Sequence, residues 1–150
     1  MGGKIEMKFT TKVLLDTNIL IYAYEQDNLV KCSIARKCIE EISSTNEMIL
    51  SIQNLAEFSR VAKEKLKSPL SSSEIKSHLK IFEKSFTIIY YSSSSIEVAL
   101  ELVDKYGIHF FDALLTATMK ENGINTILTE NEKDFNKIPW LNVVNPFKRA

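Results

Sequence analysis

Short apolar runs alternate along this chain with segments whose apolar side chains recur at helical spacing. The alternation is typical of an α/β fold with a mostly parallel sheet, because each strand is followed by a helical crossover. The extended runs predict strands at Lys12–Leu15, Met48–Leu50, Phe86–Tyr91, Asn125–Leu128 and Leu141–Val144.

Serine residues mark the predicted beginnings of several helices. The capping-box pattern Ser-x-x-Glu places two helix starts, one at Ser71 with Glu74 and one at Ser94 with Glu97. Gly107 is expected to end the second of these helices. The predicted helices lie near Thr17, over Leu29–Ile42, after Ser51, after Ser71, after Ser94, over Asp112–Glu121 and around Glu132–Asn136.

The composition is that of an ordinary globular domain. Of the 150 residues, 45% are hydrophobic and 25% are charged, and the length suits a single domain. We therefore expect one domain over residues 10–150. Residues 1–9 lack the apolar core of a signal peptide and are expected to form a short disordered leader.

Charge and cysteine content bear on partners and compartment. Lysine plus arginine equals aspartate plus glutamate, at 19 each, so the net charge does not direct the chain towards nucleic acid. No apolar run approaches the ~20 residues of a membrane helix, so no membrane association is expected. Cys32 and Cys38 fall on different faces of one predicted helix, which argues against a disulfide and predicts packing thiols in a reducing cytoplasm.

Four acidic residues each lie just past a hydrophobic run: Asp16, Glu57, Asp112 and Asp134. If the apolar runs are parallel strands, their carboxyl ends meet at one edge of the sheet, where ligands bind in such folds. The acids would then converge. A cluster of carboxylates cannot stay ionised without neutralisation, and a hard divalent cation such as Mg²⁺ or Mn²⁺ provides it.

Three of these acids also have a purely structural interpretation. Asp16 could serve only as a helix N-cap, but Thr17 and Asn18 follow at once and extend the polar cluster. Glu57 lies within a helix, where glutamate is usually solvated, yet it flanks the apolar stripe. Asp112 could be a cap as well, but its helix is largely apolar, and a buried carboxylate needs a partner.

The polar loop that begins at Thr129 leaves one question open. Thr129 and Asn131 could orient waters or carboxylates, and Asp134 could bind a metal directly or through water. Which of Asn131, Glu132 and Asp134 points inward depends on the local turn. We interpret His109 as a packing or surface histidine rather than a ligand.

Four stretches carry a family resemblance: Val13–Tyr22, Gln53–Phe58, Phe111–Gly123 and Ile127–Phe135. In this order and spacing they resemble the PIN-domain family of Mg²⁺/Mn²⁺-dependent ribonucleases, especially the VapC-like toxins of VapBC toxin–antitoxin pairs. The family's three most constant acids fall on Asp16, Glu57 and Asp112. Its fourth acidic position falls in the Asn131–Asp134 loop. Many members have aspartate where this chain has Asn131, and we choose Asp134 as the fourth ligand.

The resemblance implies a fold and a chemistry. The fold is a PIN-like three-layer α/β/α sandwich with a mostly parallel central sheet. The implied activity is hydrolysis of single-stranded RNA by an endoribonuclease that holds one or two Mg²⁺ or Mn²⁺ ions and leaves a 5′ phosphate. The expected metal-binding and catalytic residues are Asp16, Glu57, Asp112 and Asp134, held in place by Thr17, Asn18, Thr129 and Asn131.

Family membership also implies partners. We expect a homodimer, and a small antitoxin whose segment fills the acidic cleft, with an arginine pairing with the carboxylates. Two other fold families fit poorly. A phospho-acceptor domain needs a second acid beside Asp16, and a haloacid-dehalogenase-type phosphatase needs a carboxylate at Asn18. The alternative that shares every fold feature is a PIN fold that binds RNA or a partner without cutting.

Overall fold

The computed structural model describes residues 11–25 and 27–149. The predicted leader at residues 1–9 lies outside the described residues. In the described part of the chain, no helix is long and apolar enough to cross a membrane.

The strands of the described chain form one parallel sheet. They are β1 Lys12–Leu15, β2 Glu47–Ser51, β3 Thr87–Ile89, β4 Thr126–Leu128 and β5 Asn142–Val144. Their spatial order is β3-β2-β1-β4-β5, with β1 paired to both β2 and β4. The prediction of an α/β fold with a mostly parallel sheet is therefore confirmed.

Helices cover both faces of this sheet and give the predicted three layers. Successive side chains of a strand point to opposite faces, so Val13 and Leu15 pack on one side of β1 and Leu14 packs on the other. The helices are α1 Thr17–Tyr24, α2 Leu29–Ser43, α3 Ile52–Glu64, α4 Ser72–Ser85, α5 Ser93–Tyr106, α6 Phe110–Glu121 and α7 Glu132–Phe135, followed by a 3₁₀ turn at Pro146–Arg149. The core that contains Val13 and Leu15 lies against α1 to α4, and the core that contains Leu14 lies against α5 to α7.

The predicted helix starts are confirmed at two serines and wrong at a third position. Ser51 and Ser71 cap α3 and α4 as expected. The capping box of α5, however, joins Ser92 to Ser95 rather than Ser94 to Glu97. Ser95 is fully buried, accepts from the Ser92 backbone N–H at 3.0 Å and donates to a Glu121 carboxylate oxygen at 2.6 Å, so it takes the capping role that was expected of Glu97.

Helix α6 begins at Phe110 instead of Asp112, because His109 occupies the N-cap position. Its residues from Ala113 to Met119 are all buried, as the apolar sequence predicted. Cys32 and Cys38 are likewise buried in the core.

The order of the strands determines where the polar residues meet. The chain moves from β1 outward through β2 to β3, then returns to the other side of β1 for β4. The crevice at such a reversal, beyond the carboxyl ends of the strands, is where open α/β sheets bind ligands. Asp16 directly follows β1, α3 directly follows β2, and Thr129 directly follows β4.

Candidate active site

Asp16 lies at the end of the central strand and is both a helix cap and a member of the predicted site. Its Oδ1 accepts a hydrogen bond from the Thr17 backbone N–H at 2.8 Å. Its Oδ2 accepts from the Thr129 hydroxyl at 2.7 Å and from the Asn18 amide at 3.3 Å. Burial raises the pKa of Asp16 to about 6 despite these donors, and the charge of Glu57 adds to the rise.

Glu57 reaches the same place from α3. The Thr17 hydroxyl donates to Glu57 Oε1 at 2.8 Å. The Asn54 amide in turn donates to the Thr17 hydroxyl oxygen at 3.0 Å, so the orientation of that hydroxyl is fixed. One threonine thus links the first turn of α1 to the carboxylate of Glu57.

Asp112 enters from the first turn of α6. The Asn131 side-chain amide donates to Asp112 Oδ2 at 3.0 Å. Burial, a hydrogen bond with the Asp134 carboxyl and the negative charge of Asp16 raise the pKa of Asp112 to about 7. Asp112 is therefore electrostatically coupled to acids on both sides of it.

Asp134 is buried and has a different environment. Its Oδ2 lies 2.6 Å from His109 Nδ1 and also accepts from the His109 backbone N–H at 3.2 Å. Burial opposes ionisation, but the hydrogen bonds from His109 and Asp112 outweigh it and lower the pKa of Asp134 to about 2. Ligand atoms of His109, Asp112 and Asp134 all lie within 4.8 Å of one another, close enough to share a metal ion.

A cavity of about 410 Å³ opens onto the acids. It brings together six of the residues predicted from sequence. Thr129 is not part of its wall but contacts two lining residues, since its hydroxyl donates to Asp16 and accepts from the Asn131 backbone N–H at 2.9 Å. Asp134 approaches the cavity through Asp112 and is not part of its wall either. The cavity is lined by Asp16, Thr17, Asn18, Ile21, Tyr22, Glu25, Glu57, Arg60, Val61, Asp112 and Asn131.

The turn before α7 answers the question left open by the sequence. Asn131 and Asp134 both point towards Asp112. Glu132 points away, because it accepts from the Asn145 amide at 2.8 Å and from Lys148 Nζ at 3.3 Å.

Sequence reasoning missed several residues at this site. His109 is a surface histidine as predicted, with its side chain 85% exposed, but it also holds Asp134. No local sequence pattern indicates this contact, because it joins the segment before α6 to the turn before α7. Arg60 and Tyr22 also line the cavity. Arg60 lies one helical turn after Glu57, and Tyr22 lies one helical turn after Asn18. Tyr22 donates its hydroxyl to Glu130 at 2.8 Å.

The donor set fits a divalent cation. Asp16, Glu57 and Asp112 offer carboxylate oxygens, the ligands that Mg²⁺ and Mn²⁺ prefer. Among residues 11–25 and 27–149, no lysine or arginine forms a salt bridge with any of the three. Buried carboxylates need a compensating charge, and the raised pKa values of Asp16 and Asp112 show that their neighbours do not supply it.

Comparison with known proteins identifies the fold family. The PIN domain family matches residues 13–141 of the chain. The chain belongs to the PIN domain family. The resemblance read from the sequence is thus confirmed, and the match extends well beyond the acidic cavity to most of this PIN domain.

Several solved structures share the architecture of this PIN domain. A toxin–antitoxin complex from Klebsiella pneumoniae contains a chain 26% identical to it, with a TM-score of 0.65 over 89% of this chain and 97% of that one. VapBC2 from Rickettsia felis, bound to a DNA fragment from its promoter, is also 26% identical, with a TM-score of 0.68 over 90% and 98% of the two chains.

A more distant structure shows the fold alone. VapC20 from Mycobacterium tuberculosis, a toxin that cleaves the sarcin–ricin loop, is 14% identical, with a TM-score of 0.64 over 81% of this chain and 91% of that one. No curated protein sequence matches this PIN domain.

Proposed function

We propose that this PIN domain is a Mg²⁺- or Mn²⁺-dependent endoribonuclease that hydrolyses phosphodiester bonds of single-stranded RNA and serves as the toxin of a toxin–antitoxin pair. One observation carries the proposal. Asp16, Glu57 and Asp112 converge on one cavity at the carboxyl ends of the strands, without a basic side chain paired to them in the described residues.

Asp16, Glu57 and Asp112 would hold the cation, with Asp134 as the fourth acid acting directly or through water. Asp112 lines the cavity and also lies beside the His109–Asp134 pair, so it would be the carboxylate common to both groups of residues. The chemistry that a bound divalent cation would supply here is neutralisation of phosphate charge, activation of water and stabilisation of the leaving oxygen.

The remaining side chains of the site hold the acids in position. Thr129 and Asn18 donate to Asp16, Thr17 donates to Glu57, and Asn131 donates to Asp112. Each donor restricts the rotation of a carboxylate, and ligands held in this way bind metal more tightly than free ones. These four residues are therefore proposed as supports and not as ligands.

The partners are proposed from the relatives and from one surface feature. Both 26% identical neighbours are toxin–antitoxin complexes, which supports a small antitoxin as a partner of this chain. Its arginine would pair with the acidic cavity. A homodimer is proposed from the family resemblance, with Ile96 and Leu100, which lie one turn apart on α5 and are 37% and 53% exposed, as candidate contact residues. An RNA substrate and an intracellular antitoxin are consistent with action in the cytoplasm.

The test of the activity is cleavage of a mixed single-stranded RNA by the purified protein. Wild type with Mn²⁺ is compared with wild type in chelator and with Asp112→Asn prepared identically. Cutting by metal-loaded wild type alone supports the nuclease and the site together. Equal cutting by wild type and variant indicates a contaminant. Metal binding without any cutting favours a PIN fold that binds RNA or a partner without hydrolysis.

Two further measurements address the partners. Co-expression and co-purification with any small protein that is encoded next to this chain tests the antitoxin. Light scattering tests the dimer, and a strict monomer at micromolar concentration contradicts it.

A further inference from the structure

A second cavity of about 350 Å³ adjoins the acidic one. The two cavities share Glu57 and Arg60 as lining residues. The remaining walls of the second cavity come from the first turns of α3 and α6 and from the segment that follows β3: Ile52, Gln53, Ala56, Tyr91 and Phe111. A strand threading past the carboxylates would therefore meet this second cavity next.

Gln53 supplies a buried acceptor without a partner on the wall of this cavity. The residue is only 6% exposed, and its Nε2 donates to the Phe111 backbone carbonyl at 2.9 Å. Its Oε1 has no hydrogen-bond partner among the described residues. Burying an unsatisfied acceptor is costly, so a donor supplied by a ligand would stabilise this arrangement.

Two aromatic side chains beside Gln53 are unusually exposed. Phe111 is 59% exposed, and Tyr91 is 40% exposed. The Phe111 ring packs edge-on against Phe110, with 5.2 Å between ring centroids, and Phe110 itself packs against the core. Exposed rings held in this way are the surfaces on which single-stranded nucleic acids stack their bases.

We propose that this second cavity binds one unpaired nucleobase of the RNA strand, stacked on Phe111 and Tyr91, with an amino group of the base donating to Gln53 Oε1. Arg60, which lines both cavities, contacts the phosphate between the two sites. The proposal rests on the proposed function, because it takes single-stranded RNA as the substrate.

The acceptor also predicts which bases bind best. Cytosine and adenine carry an exocyclic amino group that projects beyond the ring and can reach a recessed oxygen. Uracil presents carbonyl oxygens at its exocyclic positions, and these would face Gln53 Oε1 unfavourably. The site therefore favours amino-bearing bases over uracil.

The stacking part is tested by nuclear magnetic resonance on the full chain after metal removal. Cytidine 5′-monophosphate is titrated against ribose 5-phosphate, which differs only in lacking the base. Shifts of the backbone amides of residues 53 and 56, which line the cavity and are present in every variant, report binding. We expect the nucleotide to bind about tenfold more tightly, as one stacked base implies. Phe111→Ala removes this difference, whereas Tyr90→Ala, an exposed aromatic outside the cavity, preserves it.

The acceptor is tested separately with two pyrimidines. Cytidine 5′-monophosphate is expected to bind about threefold more tightly than uridine 5′-monophosphate, the value of one neutral hydrogen bond. Gln53→Met keeps about the volume of the side chain but removes both Oε1 and the amide that donates to the Phe111 carbonyl, so this preference disappears. The difference from ribose 5-phosphate remains, because the Phe111 ring still packs against Phe110.

Three results overturn the proposal. One is equal binding of cytidine 5′-monophosphate and ribose 5-phosphate, and another is an unchanged difference in Phe111→Ala. The third is conversion of a dimer to a monomer by Phe111→Ala with nucleotide binding intact, which assigns the ring to a contact with a second copy. Because none of these measurements involves cleavage, base binding without hydrolysis would contradict the nuclease proposal and leave this inference standing.

Discussion

Asp16 and Asp134 are both buried aspartates beside the same cluster, yet their pKa values shift in opposite directions. That of Asp16 rises to about 6, and that of Asp134 falls to about 2. Asp16 faces the cavity, receives hydrogen bonds from neutral donors and lies near Glu57. The Asp134 carboxylate contacts the His109 ring through Nδ1 and accepts a hydrogen bond from the His109 backbone N–H.

The difference shows that burial alone does not decide the state of a carboxylate. The acidic site has two halves. The cavity half, formed by Asp16 and Glu57, lacks a compensating positive charge and therefore favours the binding of a cation. The half with His109 and Asp134 is already satisfied by its own hydrogen bonds. Asp112 belongs to both halves, since its pKa is raised by burial, by the contact with Asp134 and by the charge of Asp16.

The largest expected effect comes from removing the charge of Asp16. Asp16→Asn should lower kcat/KM for RNA cleavage by more than about hundredfold, because even residues that only orient metal ligands contribute about 10–100-fold. The fold should survive, since asparagine is as good a helix N-cap as aspartate. Steady-state cleavage kinetics with Mn²⁺ measure the loss.

The matched control for that change is Asp104→Asn, the same substitution at an exposed site on α5. It should leave kcat/KM unchanged. If Asp16→Asn and Asp104→Asn were equally active, the cavity half would not be the metal site.

The other half should be less sensitive. Asp134→Asn and His109→Ala should each lower kcat/KM by about 10–100-fold, as expected for groups that act on a metal site through another ligand. Because the two side chains form one contact, the double variant should lose little more than either single variant. Additive losses would mean that His109 and Asp134 act independently.

The strands and the acids near them were predictable from sequence, whereas the contacts among loops were not. Asp16 and Thr129 follow adjacent parallel strands, so strand topology alone brings them together. The His109–Asp134 contact depends on the connection between α5 and α6 and on the turn before α7, neither of which has a periodic signal. Ser95 illustrates the same limit, because its hydrogen bond to Glu121 joins α5 to α6 and no local sequence pattern predicts it.

A smaller loss is expected when only the support of Asp16 is removed. Thr129→Val keeps the shape of the buried side chain but deletes the hydroxyl that donates to Asp16 Oδ2. We expect kcat/KM to fall about tenfold, mainly through weaker Mn²⁺ activation. The control is Thr126→Val, at another buried threonine three residues earlier in β4, and it should retain activity. An unchanged Mn²⁺ dependence in Thr129→Val would contradict the supporting role.

The smallest effect concerns stability against pH. An aspartate whose pKa is raised on folding resists ionisation in the folded state, so the metal-free protein should lose stability as pH rises from about 4 through the folded pKa values of about 6 and 7. The melting temperature should be higher at pH 5 than at pH 8 by at least about 2–4 °C, the shift that ~1 kcal/mol produces in a domain of this size.

Asp134 does not reverse this trend. Its lowered pKa contributes stability above its unfolded value near 3.8 that is lost only in more acidic solution. Asp16→Asn should reduce the difference between pH 5 and pH 8, and Mn²⁺ should stabilise the wild type most at pH 8, where its ligands are ionised. A melting temperature that rises with pH in chelator, and does so equally in Asp16→Asn, would contradict the assignment.

Calorimetric titration of Mn²⁺ into chelator-treated protein at pH 8 tests most directly whether the two halves differ. The uncompensated cavity half predicts saturable Mn²⁺ binding by the wild type, weaker but measurable binding by Asp134→Asn, and no detectable binding by Asp16→Asn. Binding by Asp16→Asn that equals the wild type would show that the carboxylates of the cavity do not form the metal site.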